Sequence, residues 1–249
     1  MPALLPVPDA LPPTTQSSRY QASVRTVNGA DHQDLVTTSH LPSGQAGALA
    51  TLGKEKGMSA QVAIVAGGGG ELGRATAMAL AAGTRSVVAV DRNERGLLGL
   101  PSGIRREVAD TTDPAAAAKL IDRIAAEIGP PAVLVNTIGA FVPGDALSTT
   151  PETLRLMIEV NLGPALWLSQ AVVPHMQQGS GVIVHVAARP GLEPAGGMAA
   201  YSVSKAALVH PTRTLAIELG PHGVRVNAVA PELLDTPREP GDVPGRGDG

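Results

Sequence analysis

The stretch from Gln61 to Asp91, QVAIVAGGGGELGRATAMALAAGTRSVVAVD, constrains this chain more than any other, because it reads as strand, glycine turn, helix, strand and terminal acid. Val62 to Ala66 is a short apolar run with the length and β-branched content of a strand buried on both faces. Gly67, Gly68, Gly69 and Gly70 follow at once. They permit a tight turn and let bare backbone N–H groups approach a pyrophosphate, which the N-terminus of the next helix, about Leu72 to Ala82, also attracts. Gly73, one turn in, lets that helix lie close on the strand. Ser86 to Val90 is a second apolar strand closed by Asp91. Roughly twenty residues past such a turn, a carboxylate accepts both ribose hydroxyls of NAD and repels the 2′-phosphate of NADP. A glycine cluster alone can merely connect a strand to a helix, but here the strand, the helix and the distal acid supply the context that dinucleotide binding requires. Arg92 is a basic residue able to meet a 2′-phosphate. Beside Asp91 it reads instead as a solvated residue or a lid over the adenine.

The rest of the chain repeats the alternation. Arg92 to Gly103 is broken by glycines, Ile104 to Ala109 reads as a third strand, and Asp113-Pro114 opens a helix with an N-cap acid and a proline at the first helical position. That helix runs to Gly129, and Ala132 to Asn136 is a fourth strand. Pro151 to about Gln177 is amphipathic, with Asn161 and the Gly163-Pro164 pair expected to interrupt it. Val182 to Ala187, the helix Tyr201 to Leu219 and the strand Val224 to Ala230 complete the series. Strands alternating with helices predict an α/β fold with one Rossmann-type, doubly wound parallel sheet of six recognisable strands and right-handed crossovers. The ligand then sits at the carboxyl ends of the strands.

Residues 1–57 differ from everything that follows, carrying Pro, Ser, Thr, Gly and Gln without a sustained helical or strand period. Such a segment cannot bury enough apolar surface to offset its ordering entropy, so it is expected to be a disordered, dispensable extension ahead of Met58. A transit peptide is argued against by Asp9, Asp31 and Asp34. The expected division is an extension over 1–57, a dinucleotide-binding domain over 58–237 and a disordered tail over 238–249.

With 249 residues, 43% of them hydrophobic, the chain is long enough for one sizeable domain. A net charge of −3 argues against a nucleic-acid or membrane-surface partner. The absence of cysteine excludes disulfides, thiolate catalysis and cysteine-based metal sites. Six histidines are scattered without metal-ligand spacing, so no metal is expected. No uninterrupted apolar run approaches the roughly eighteen residues of a membrane span, and no secretory signal is visible, which makes the cytoplasm the expected location.

The chemistry is carried by Tyr201-Ser-Val-Ser-Lys205. Spacing of i, i+4 at the start of a helix places phenol and ammonium on one face. A cation there is expected to lower the Tyr201 pKa toward the range of a working acid and base.

Ser59 to Thr236 resembles the short-chain dehydrogenases/reductases, single-domain NAD(P)-dependent enzymes. The motifs match in order: AGGGGELG at 66–73 for TGxxxGxG, Asp91 ending the second strand, Asp110, NTIG at 136–139 for NNAG, Asn161 in VNLGPALWLSQ, YSVSK at 201–205 and VRVNAVAPELLDTP at 224–237. The resemblance implies Tyr201 as general acid/base and Lys205 as the residue that holds the nicotinamide ribose and tunes Tyr201. It further implies Asn161 as the residue that keeps its helix kinked around a proton-relaying water. Cofactor contacts are implied for Gly67, Gly69, Gly70, Leu72, Gly73, Asp91, Arg92, Asp110, Thr111, Asn136, Gly139, Tyr201, Lys205, Pro231, Leu234 and Thr236. It also implies an alcohol or ketone substrate, and a homodimer through the helix bearing Leu154, Ile158, Leu162, Leu166 and Trp167 and the helix after Lys205, in preference to a tetramer.

Several positions depart from the family pattern. The family's substrate-orienting Ser stands thirteen positions before the Tyr, where this chain has Ala188. Glu71 takes the place of a motif glycine, Glu232 that of the glycine in the Pro-Gly turn, and Thr137 and Ile138 those of Asn and Ala. Pro211 falls inside the helix after Tyr201, at a cost of ~3 kcal/mol if uncompensated. The family's seventh strand is not recognisable after Thr236. These departures predict weak turnover, or else a silent NAD-binding module or a defective reading frame.

Overall fold

The computed structural model describes residues 24–28, 35–38, 62–83, 86–176 and 179–232. Its spine is a run of parallel strands, each a short apolar segment bounded by glycine, proline or a capped helix. These are β3 (Val62–Ala66), β4 (Ser86–Asp91), β5 (Ile104–Val108), β6 (Pro131–Asn136), β7 (Gly181–Val186) and β8 (Val224–Pro231). β3, β6 and β7 are buried along their whole length, as strands covered by helices on both faces must be. β8 alternates instead, with Val224, Val226, Ala228 and Ala230 buried, Arg225 exposed and Asn227 and Val229 half-buried.

The helices start where local chemistry satisfies their first N–H groups. α1 (Glu71–Ala81) follows the glycine turn, and α2 (Glu94–Leu97) is capped by Asn93, whose side chain accepts from Arg95 N–H. Asp113 caps α3 (Pro114–Glu127), and Thr150 caps α4 (Pro151–Val172). Each such cap is worth about 1 kcal/mol. α5 (Ala199–Leu219) carries the Tyr-Lys pair. Ala77 and Leu80 of α1 pack with Leu97 on one face of the sheet, while Leu120 and Ile124 of α3 pack with Leu168 and Val172 of α4 on the other. Leu208 and Val209 of α5 extend that second face over β8.

The structure corrects the sequence reading in three places. First, α4 runs unbroken through Asn161, Gly163 and Pro164, and α5 runs through Pro211. An interior proline costs ~3 kcal/mol, but each fully buried apolar side chain returns about 1.5–3 kcal/mol. α4 alone buries Met157, Leu168 and Val172, so tertiary packing outweighs local propensity. Second, the segment Pro151–His175 is long and apolar enough, by length and composition, to cross a membrane, although it contains no uninterrupted apolar run. Its buried side chains pack in the second core layer, which marks it as a core helix of this domain.

Third, the region read as disordered contains two strands, β1 (Val24–Asn28) and β2 (Leu35–Thr38). The sheet order is β2-β1-β8-β7-β6-β3-β4-β5. β1 lies antiparallel against the far edge of β8, from Val24 opposite Pro231 to Asn28 opposite Asn227, and β2 is antiparallel to β1. The far edge of β8 is therefore covered by a strand from the N-terminal side of the chain. The rest of 1–57, and residues 233–249, lie outside the described residues.

Candidate active site

A cleft opens at the carboxyl ends of β3, β4 and β6, lined by Gly67, Gly70, Asp91, Thr111 and Gly139 among others. Gly67 has φ +80°, a left-handed conformation that favours glycine. A Cβ on Gly73 would lie 2.0 Å from the Gly67 carbonyl oxygen, so α1 can approach the turn only with glycine there. Thr137 Oγ1 donates to the Ala66 oxygen at 2.8 Å and also reaches the Gly67 oxygen at 3.3 Å. The Thr137 departure thus ties the end of β6 to the glycine turn. Gly70 caps α1 without any side-chain bond, leaving the first N–H groups of the helix for a ligand.

Asp91 is fixed by two backbone donors: Gly69 N–H at 3.0 Å and Asn93 N–H at 2.9 Å. Asp110 accepts from the side chain and the N–H of Thr112, which hold its carboxyl below the usual range, with the Arg92 charge adding to the effect. Arg92 and Thr111 line the same cleft, Thr111 buried and Arg92 exposed. The acids, the glycine turn and the uncapped helix end fit the adenosine diphosphate half of a dinucleotide. Glu71 is exposed on the first turn of α1. Leu72 is half-buried, and its carbonyl accepts from Thr76. Gly69 contributes by holding Asp91. Asn136 is buried and spends its side-chain oxygen on Ile138 N–H, so it shapes the turn instead of facing the cleft.

Beside Gly139 and Ala140, which line the cleft, three elements converge. Asn161 on α4 accepts from Ala140 N–H at 2.9 Å, donates to the Ala140 carbonyl at 3.0 Å and donates to Ser204 Oγ at 2.9 Å. Ser204 in turn donates to the Tyr201 carbonyl at 2.7 Å, so Asn161 braces the loop after β6 against the helix that carries the Tyr-Lys pair. That bracing replaces the kink expected at Asn161. A Cβ on Gly139 would come within 2.9 Å of Asn161 Oδ1 and 3.0 Å of Lys205 Nζ, which places Gly139 between them.

Lys205 is only 4% exposed, and burial lowers its pKa to about 8. Its ammonium donates to the Val186 carbonyl at 2.8 Å and stands 5.9 Å from the Tyr201 ring centroid. Here the expectation for Tyr201 is corrected: burial pushes the phenol above its ordinary value, because desolvation dominates and the cation is directed at a carbonyl.

Ala188 is buried at the end of β7, just before the turn Arg189–Gly191, which packs so tightly on α5 that a Cβ on Gly191 would lie 2.6 Å from the Lys205 carbonyl carbon. Neither neighbour supplies the absent hydroxyl. Arg189 pairs with Glu232, and with Glu193 at 3.3 Å, which also compensates the Glu232 charge. His185 points into the core beside Ser169, its pKa lowered to about 4 by burial and then by Lys205. Pro231 ends β8 opposite Val24, while Leu234 and Thr236 lie outside the described residues. Sequence reasoning missed the bracing role of Ser204, the Thr137 tie and Phe141, whose ring meets Tyr201 edge-on at 5.0 Å. The only signal for Phe141 was that it is the one phenylalanine in the chain.

The profile of the short chain dehydrogenase family matches residues 61–243. Among similar proteins, 4-formylbenzenesulfonate dehydrogenase of Comamonas testosteroni is 34% identical over 192 residues, covering 72% of this chain and 75% of its own. Meso-2,3-butanediol dehydrogenase of Serratia marcescens is 32% identical over 181 residues, covering 71% and 72%. The solved structure of NAD+-bound xylitol dehydrogenase superposes with a TM-score of 0.65 at 28% identity, over 69% of each chain.

Proposed function

This chain belongs to the short-chain dehydrogenases, and from that premise we propose that it interconverts an alcohol and a ketone with NAD as hydride carrier, at a rate reduced by the Ala188 departure. The observation that carries the reading is that Asn161 and Lys205, with Tyr201 on the same helix, meet at Gly139 and Ala140, which line the same cleft as Asp91 and the glycine turn. The family and the named relatives support oxidoreductase chemistry on alcohols and ketones. A bound nicotinamide would accept or supply the hydride.

The chain's own residues do the rest. Tyr201 gives a proton to the substrate oxygen in reduction and takes it back in oxidation. Its raised pKa keeps the phenol protonated at neutral pH, which suits the acid role. Lys205, beside Gly139, would hold a ribose hydroxyl, and Asn161, bonded to Ala140 and Ser204, keeps the loop after β6 and the helix of Lys205 in register. Asp91 favours NAD over NADP because a 2′-phosphate would meet a fixed carboxylate, while Arg92 stands within charge range of Asp110.

A second reading, a cofactor-binding module without turnover, is favoured by Ala188 together with the carboxylate of Glu71 near the expected pyrophosphate. Titration with NAD and NADP, followed by an NADH absorbance assay over a panel of alcohols and ketones, separates the two. Binding with measurable turnover supports the enzyme, binding without turnover supports the module, and no binding removes both.

A further inference from the structure

Phe141 is half-exposed, at 50% of its surface, although it is the one phenylalanine of a chain poor in aromatics. Its position is not that of a loose loop side chain. One residue before it, Ala140 is clamped through both its N–H and its carbonyl by Asn161. Three residues after it, Gly144 N–H donates to the Gly197 carbonyl, and the Gly144 carbonyl accepts from Ala199 N–H, both at 2.9 Å. The backbone carrying Phe141 is therefore pinned on one side to a residue of the catalytic group and on the other to the start of the helix that carries Tyr201. Between these clamps the ring stands at 85° to the Tyr201 ring, with centroids 5.0 Å apart. The position that carries a hydroxyl in the family pattern is the methyl of Ala188, buried at the end of β7.

We infer that Phe141 is the specificity-determining wall of the substrate cleft, selecting ketones and secondary alcohols with an aryl or other flat apolar substituent on the reacting carbon over small polyols and hydroxyketones. This rests on the oxidoreductase reading above. Edge-to-face and stacked aromatic contacts favour such a substituent beyond what its area alone contributes. Phe141, fixed in advance, pays little ordering entropy when the substituent arrives. The ring meets Tyr201 edge-on and half of its surface is exposed, so an apolar substituent packed on that exposed surface lies next to Tyr201. The loss of the Ser hydroxyl at Ala188 removes a polar partner that a hydroxyketone could use and leaves an apolar surface in its place.

The test is calorimetric titration of the full chain, with and without NADH, using acetophenone and hydroxyacetone as probes. Wild type is expected to bind acetophenone at least about tenfold more tightly than hydroxyacetone. Phe141→Ala should erase that preference and leave hydroxyacetone and NADH affinities unchanged, and Phe141→Leu should retain an intermediate preference. A wild type that binds the two probes equally, or neither, overturns the inference, as does an unchanged ratio in Phe141→Ala. The NADH titration stands apart: failure to bind NADH sinks the oxidoreductase reading, while the ketone ratio measured without NADH still decides the role of Phe141. Retained NADH affinity and an unshifted melting temperature in the variants distinguish a lost wall from a lost fold.

Discussion

Ala188 sets the chemistry this site can reach. In the proposed reaction the substrate oxygen would be held by Tyr201 alone where the family pattern has two hydroxyls, and removing one such donor typically costs a factor of ~10²–10³ in rate. Ala188→Ser is therefore expected to raise kcat toward that factor while leaving NAD affinity as it is. Robust wild-type turnover, or a Ser variant no faster than a measurably active parent, would count against it. Lys205 supports a second prediction with a defined sign. Its folded pKa of about 8 lies below its ordinary 10.5, so below about pH 8 the ammonium is charged in both states and the folded chain bears the full cost of burying it. Between pH 8 and 10.5 the unfolded state holds more protons, and stability from this group rises with pH. The gross effect is about 3 kcal/mol, less about 1 kcal/mol for the bond to the Val186 carbonyl. Lys205→Met should be inactive yet about 2 kcal/mol more stable than wild type in urea at pH 7, with the gap closing toward pH 10.5. A gap independent of pH would mean that the ammonium is not what strains the fold. The positions of Asp91, Tyr201 and Lys205 were legible because each is set by spacing within one local unit. The direction of the Tyr201 shift was not legible, since burial and the aim of the Lys205 ammonium depend on β7 and the loop after β6. Asp91→Ala remains the direct check on the cofactor and should narrow the preference for NAD over NADP in a titration.

At the scale of elements, the strands and helices from β3 to β8, apart from the short α2 that the sequence left as a glycine-broken stretch, follow from apolar runs, glycine breaks and caps, and their ends fall within a few residues of those read from sequence. What failed was local propensity against packing, at Pro164 and Pro211, and the hairpin β1–β2. VRTVN and LVTT are too short to declare themselves, and β8, against which β1 lies, is about two hundred positions downstream, so only tertiary pairing reveals the hairpin. The consequence reverses the expectation that residues 1–57 are dispensable. β1 pairs along five positions with β8, and removing it exposes a row of unpaired backbone groups on the strand that leads into the site. A chain beginning at Met58 is expected to melt several degrees lower, at roughly 2–4 °C per kcal/mol lost in a domain of this size, and to self-associate through the bared edge. Equal melting temperatures for the two chains would show that the hairpin adds nothing to stability.

For the whole molecule, the same two helices that carry Asn161, Tyr201 and Lys205 also leave apolar surface uncovered. Leu154 is 39% exposed on α4, and Val203 and Ile217 are 53% and 60% exposed on α5. The five α4 residues expected at a subunit contact divide in the structure: Leu162 and Trp167 pack inward against the core, whereas Leu154 stays open to solvent. Exposed side chains of this size scattered singly need no partner. Set along two adjacent packed helices, they lead us to propose a homodimer paired through α4 and α5, as the family resemblance implies. Pairing there would also brace α4 and α5 from outside, opposite the bonds from Asn161 to Ser204 that brace them from within. Leu154→Arg and Val203→Arg should each shift the protein toward monomer by light scattering at micromolar concentration. Far-ultraviolet dichroism should be unchanged, since surface substitutions away from buried groups usually alter stability by less than about 0.5 kcal/mol. If pairing stiffens the catalytic helices, kcat in these variants falls while NAD affinity at the distant Asp91 end holds. A wild type that is monomeric under the same conditions removes the pairing and its effect on turnover together.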